Sequence, residues 1–173
     1  RAYLAIVWGA PSPARGTVEK AIARGQHNRE KMMVVAPDRG RQARTHYAVE
    51  EVFGPQAEPL ASLVRCTLET GRTHQIRVHM AEIGHPLLGD ALYGSGFKTK
   101  RNRLAPAAQG ALAALDRQAL HAAVLGFEHP VTGKPLRFES DPPPDFRRLR
   151  QALREPQPEH PGATIRHPAR AAR

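Results

Sequence analysis

Cysteine occurs once, as Cys66, so no disulfide can form within the chain and no Cys-x-x-Cys pair is available for zinc or thiol exchange. No apolar run approaches the ~20 residues that a membrane-spanning helix needs, and a cytoplasmic protein is expected. Gly-x-Ser-x-Gly is missing, as is the Gly-Lys-Ser/Thr phosphate loop, which removes two common hydrolytic designs. Acidic residues are scarce: 16 stand against 26 Lys and Arg, a formal net charge of +10. Such an excess attracts polyanions, RNA or DNA above all, in a salt-dependent way. The competing explanation is that part of the excess sits in an Arg-rich tail with no specific partner.

The 173 residues suit one domain, and a chain of that length buries roughly 70% of the surface it exposes unfolded. Arg1 to Gly9 reads as a buried strand rather than a signal peptide, because the apolar run is short and leads into Ala10-Pro11-Ser12-Pro13. A chain opening inside a core strand leads us to expect a preceding segment.

Tyr3 to Trp8 is continuously apolar, as in a strand covered on both faces. A short helix is predicted over Thr17–Ala23, a basic loop over Arg24–Lys31 and a strand over Lys31–Val35. Ala43 to Phe53 alternates with period two, placing Thr45, Tyr47, Val49, Glu51 and Phe53 on one face; with Ala61–Glu69 it should form an antiparallel hairpin. Ile76, Met80 and Ile83 recur at helical spacing, with Thr73 as the expected cap and Gly84 as the stop. Gly96 to Gly110 reads as a mobile surface loop and Ala111 to Ala123 as a helix. A last hairpin around Thr132-Gly133 and an amphipathic helix over Phe146–Leu153 follow, giving a domain over 1–153 and a disordered Pro- and Arg-rich tail over 154–173.

The chemistry concentrates in Leu68-Glu69-Thr70-Gly71-Arg72-Thr73-His74-Gln75-Ile76-Arg77-Val78-His79-Met80, a strand-to-helix elbow. Cations gather there beside a helix N-terminus, which itself favours anions. His74 and His79 lie five apart, about 140° around a helix, so they do not form a metal pair. Arg77, flanked by apolar neighbours, belongs at the border of core and cleft, where a guanidinium needs an anion; a plain surface arginine is the alternative. Tyr47, mid-strand, is either a half-buried core tyrosine or a platform for a stacked base.

The elbow, together with Gly84-His85-Pro86-Leu87-Leu88-Gly89-Asp90, Tyr93-Gly94, Thr45-His46-Tyr47, Arg117–Ala122 and Phe127-Glu128-His129-Pro130, resembles the signature of the RluA/RluD-type pseudouridine synthases. The likeness runs from Tyr3 to about Leu153. It implies an α+β fold with a mixed, mainly antiparallel sheet flanked by helices around a central cleft. The implied activity is isomerisation of uridine in RNA, large-subunit ribosomal RNA for this branch, without cofactor or metal: the glycosidic bond breaks, the uracil turns, and carbon 5 rejoins the sugar. In that family an aspartate is central, a tyrosine packs on the base and an arginine pairs with the aspartate. By motif match the tyrosine is Tyr47 and the arginine Arg77.

The family's aspartate sits in a His-Arg-Leu-Asp-type motif upstream of the opening strand, and no such motif occurs in the 173 residues. The chain is therefore expected to be the C-terminal portion of a catalytic domain whose N-terminal part is missing, inactive by itself, with Arg77 awaiting a carboxylate from outside. Arg72 and His74 are placed at the RNA entrance; Arg29, Lys31, Lys98 and Arg101 are expected to hold phosphates. A monomer free of membrane and metal is expected. Two rival classes are a non-catalytic RNA-binding protein on the same fold and a small basic nuclease.

Overall fold

The computed structural model describes residues 1–26 and 28–158. Six strands, β1 (Ala2–Trp8), β2 (Arg15–Glu19), β5 (Arg44–Phe53), β6 (Ala61–Leu68), β7 (Leu120–Glu128) and β8 (Pro135–Glu139), form one sheet in the order β2-β5-β6-β1-β7-β8. Each neighbouring pair is antiparallel. A second, two-stranded sheet joins β3 (Ala21–Arg24) to β4 (Met32–Val35). The helices are α1 (Gln75–Glu82), the single turn α2 (Lys98–Arg101), α3 (Pro106–Leu115) and α4 (Pro144–Arg154).

Alternation along β1 divides the core into two layers. Leu4, Ile6 and Trp8 meet Leu112, Phe146, Leu149 and Leu153 of α3 and α4 on one face. Ala5 and Val7 meet Ile76 and Met80 of α1, with Cys66 and Leu87, on the other. Leu149 and Leu153, four apart on α4, are fully buried, and each contributes roughly 1.5–3 kcal/mol by leaving water. None of the described helices is long and apolar enough to cross a membrane.

Four sequence expectations change. Thr17–Ala23 is not a helix but parts of β2 and β3: Val18, Ala21 and Ile22 are buried by pairing with β5 and β4, and strand pairing overrides local helix propensity. Strict alternation along β5 fails at a bulge between Val49 and Glu51. The extra residue flips the pattern, so Tyr47 and Val49 lie under α1 while Phe53 joins the α3/α4 layer. Residues 96–110 are not a loop throughout: they include α2 and the start of α3, anchored by buried Leu104 and Ala108. The predicted helix from Ala111 stops at Leu115, where Asp116 adopts φ 48°, and Leu120 begins β7 beside β1.

At the C-terminus, Arg154 closes α4, and the Gln157 amide donates to carbonyls of Ala152, Leu153 and Glu155 while accepting from the Ala105 N–H. The rest of the expected tail, 159–173, lies outside the described residues.

Candidate active site

The elbow is built around Gln75, which is 2% exposed. Its amide oxygen accepts from the Arg72 N–H (3.0 Å) and the Thr70 hydroxyl (2.8 Å); its amide nitrogen donates to the Arg44 carbonyl (2.9 Å) and Thr45 Oγ1 (3.0 Å). Every polar atom of this buried side chain is used, as burial requires. Thr70 in turn accepts from the Arg44 N–H. The Thr-Gly-Arg-Thr-His-Gln run therefore clamps α1 to β5. Thr73 is not the cap: His74 holds that position in the left-handed region at φ 55°, with no side-chain capping bond.

One turn into α1, Arg77 meets Asp90. Nε donates to Oδ2 at 2.6 Å and Nη2 to Oδ1 at 2.8 Å, a fork-to-carboxylate pair with side-chain exposures of 13% and 0%. Asp90 Oδ1 also accepts the N–H groups of Leu92 and Tyr93. Burial alone would raise the Asp90 pKa, but the Arg77 bonds and the two amides outweigh it and hold the carboxyl below its usual range. The same carboxylate raises Arg77 further. The anion expected from outside the chain is thus not needed to satisfy this arginine's Nε/Nη2 edge, because Asp90 already occupies it. Nη1 makes no hydrogen bond among the described residues.

Backbone geometry places Asp90 there. Leu88 donates to the Ile6 carbonyl and accepts from the Ala119 N–H, which wedges the segment beside β1. Gly89 follows at φ +73°, where an added Cβ would lie 2.1 Å from the Arg117 carbonyl oxygen.

Tyr93 completes the cluster. Its hydroxyl accepts from the Met32 N–H (2.8 Å) and lies 3.0 Å from His74 Nδ1, while its ring faces the Arg77 guanidinium at 4.9 Å and the Lys31 ammonium at 5.5 Å. Burial, then the charge of Arg77, pushes the His74 pKa down. Burial pushes the Tyr93 pKa up. One phenol thereby ties the small β3–β4 sheet to α1.

A cleft of about 630 Å³ opens beside the pair, lined by Trp8, Arg77, Asp90, Lys98, Arg101 and Arg117 among others. Of the residues predicted to form the site, Arg77, Lys98 and Arg101 meet here. Arg72 turns to the Gln42 carbonyl instead, His74 and Lys31 gather on Tyr93, and Arg29 is exposed in the β3–β4 turn. His74 and His79 face different partners, as their spacing requires: His79 is buried between Thr45 and the Lys20 carbonyl.

Tyr47 stands apart from Arg77. Register aligns Gly16, Tyr47, Cys66, Tyr3 and Ala122 in one row across five strands, on the face under α1. Tyr47 leans outward, its hydroxyl donating to the Pro13 carbonyl and lying where a Cβ on Gly16 would be only 2.6 Å away. No hydrogen bond, ion pair or ring contact joins it to Arg77. Tyr3 lies on β1, the strand against which the Asp90 segment is hydrogen-bonded; Tyr47 lies two strands off, about 10 Å farther. Periodicity could not separate the two tyrosines, since each sits in an apolar strand. Asp90 and Tyr93 were legible only as parts of the motifs that carry the family resemblance.

Residues 1–82 match the family described as RNA pseudouridylate synthase. The ribosomal large subunit pseudouridine synthase D of Zymomonas mobilis is 47% identical over 155 residues, covering 88% of this chain and 44% of that protein. Its namesake from Vibrio cholerae is 44% identical over 159 residues, covering 90% and 45%. Among solved structures, human RNA pseudouridylate synthase domain containing 1 superposes with a TM-score of 0.63 at 27% identity, over 91% of this chain and 67% of that one. The chain spans less than half the length of these two bacterial relatives. The family match, the identity to these relatives over most of the chain and the fold shared with the human structure agree: the chain belongs to the RluA/RluD-type family of RNA pseudouridine synthases.

Proposed function

We propose that the protein converts uridine to pseudouridine in large-subunit ribosomal RNA, with the target nucleotide flipped out of its stack into the cleft beside α1. The observation that carries this is the Arg77–Asp90 pair. A guanidinium whose Nε/Nη2 edge is locked by a buried carboxylate keeps Nη1 for a second anion at a fixed position. That second anion is the family's catalytic aspartate, for which the 173 residues hold no His-Arg-Leu-Asp motif; we place it in the part of the protein that relatives have beyond the shared stretch. Arg77 then orients that carboxylate and keeps it ionised while the glycosidic bond is broken and remade at carbon 5.

For the aromatic platform two residues compete. Tyr47 is the motif-based candidate; Tyr3, in the same row and nearer the Asp90 segment, is favoured by register. Lys98 and Arg101 hold phosphates at the cleft mouth. The protein acts as a cytoplasmic monomer without cofactor or metal.

Release of tritium from carbon 5 of labelled ribosomal RNA tests this in a protein that includes the aspartate motif. Tyr3→Ala should lower the rate about 100-fold or more, by loss of stacking and positioning, with Tyr47→Ala much milder. The reverse order returns the platform to Tyr47. No tritium release from the unsubstituted protein would leave the non-catalytic RNA-binding alternative, and strand cleavage would mark a nuclease. The 173-residue chain by itself should release none.

A further inference from the structure

The α3/α4 layer, across the sheet from α1, carries a second concentration of positive charge. The helix α4 has four arginines, Arg147, Arg148, Arg150 and Arg154, in eleven residues. Its apolar stripe, Phe146, Leu149, Ala152 and Leu153, is spent on the core, so the remaining positions must face outward. Arg150 and Arg154 share Glu51 of β5, which anchors them to the sheet. Arg147 and Arg148 are exposed and have no acidic partner among the described residues. With Pro144 and Gln151, the four arginines line a shallow hollow of about 500 Å³ that contains no acid.

We infer that this face of α4 is a second RNA-binding surface, which grips the phosphate backbone of the substrate RNA outside the Arg77 cleft. The inference rests on RNA being the substrate, as proposed above. Charge complementarity selects the occupant: a hollow walled by guanidinium groups, two of them unpaired, suits successive phosphates, for which arginine supplies fork-shaped donors. Glu51 holds Arg150 and Arg154 against the sheet and leaves Arg147 and Arg148 as the unpaired cations that take up phosphates and displace counterions. Contacts of this kind fix how the RNA lies on the protein without reading its bases. Two faces engaged at once would select a folded RNA over a short single strand.

The test is equilibrium binding of a ribosomal RNA fragment to the full-length protein across a salt series, comparing the unsubstituted protein with Arg147→Gln/Arg148→Gln and with Arg147→Lys/Arg148→Lys. The glutamine pair should weaken binding about tenfold near 0.15 M salt and flatten the plot of log affinity against log salt by about 1.5, the share of two phosphate contacts. The lysine pair, which keeps the charge, should recover most of both. Unchanged affinity and slope in the glutamine pair would overturn the inference, and so would an equal loss in the lysine pair. Weakened binding to whole ribosomal particles with unaltered binding to naked RNA would point to an acidic protein partner and overturn it as well. If the unsubstituted protein binds no RNA, the proposed substrate fails and the α4 surface with it, whereas RNA binding that the glutamine pair leaves unchanged overturns the α4 surface alone.

Discussion

The two layers of the sheet use arginine in opposite ways. Under α1 a single guanidinium, 13% exposed, is fixed by a carboxylate that is wholly buried and itself held by two amides. On α4 Arg147 and Arg148 are exposed, and the paired Arg150 and Arg154 share the partly exposed Glu51. Burial makes the difference. A charge removed from water is tolerated only in one geometry, so it becomes a positioning device, whereas a charge left in water acts at a distance and holds no position. Precision and attraction are assigned to different faces of one sheet.

That contrast can be broken at its strongest point first. Arg77→Ala in the full-length protein should reduce pseudouridine formation about a thousandfold, as loss of a preorganised electrostatic contact does; activity within tenfold of the starting protein would remove Arg77 from the chemistry. Next, Asp90→Ala strips the partner from a buried charge and should cost about 3–5 kcal/mol in urea unfolding. The Asp90 carboxyl is held below its ordinary value, so its share of stability is present above about pH 4 and is lost as pH falls through the lower native value. A smaller effect belongs to His79, whose pKa burial pushes down. The unfolded chain protonates it first, so stability falls as pH drops below about 6.5, and His79→Gln should make the decline of Tm between pH 7.5 and 5.5 shallower. Smallest of all, Glu51→Gln on the α4 side should cost only about 0.5–1 kcal/mol, because that network is partly solvated. A Glu51 effect as large as that of Asp90 would erase the distinction between the two layers.

Much of this was legible in the residues. The β5–β6 hairpin, α1 and α4 follow from periodicities that match what they bury, and Arg77 stands out because a charge flanked by Ile76 and Val78 needs an anion. The partner's identity was not legible: Arg77 and Asp90 are thirteen residues apart, and only the turn at Gly89 and the wedge of Leu88 against β1 bring them together. The bulge at Val49/Glu51 was hidden for a similar reason, since one inserted residue leaves composition untouched while exchanging the two faces of the strand. The stretch Thr17–Ala23 carries little periodicity of its own and takes its form from the strands it joins. Tyr3 and Tyr47 are told apart by register alone.

Cys66 stands in the row between those two tyrosines, 0% exposed, and burial pushes its thiol up to about 12. A group so poor in thiolate and so enclosed reacts with a thiol reagent only when β5, β6 and β1 part. Being the sole cysteine of the 173 residues, it makes the labelling rate a clock for opening of the sheet beneath the proposed base platform, and the slowing of that clock by bound RNA reports how far substrate closes the floor of the site.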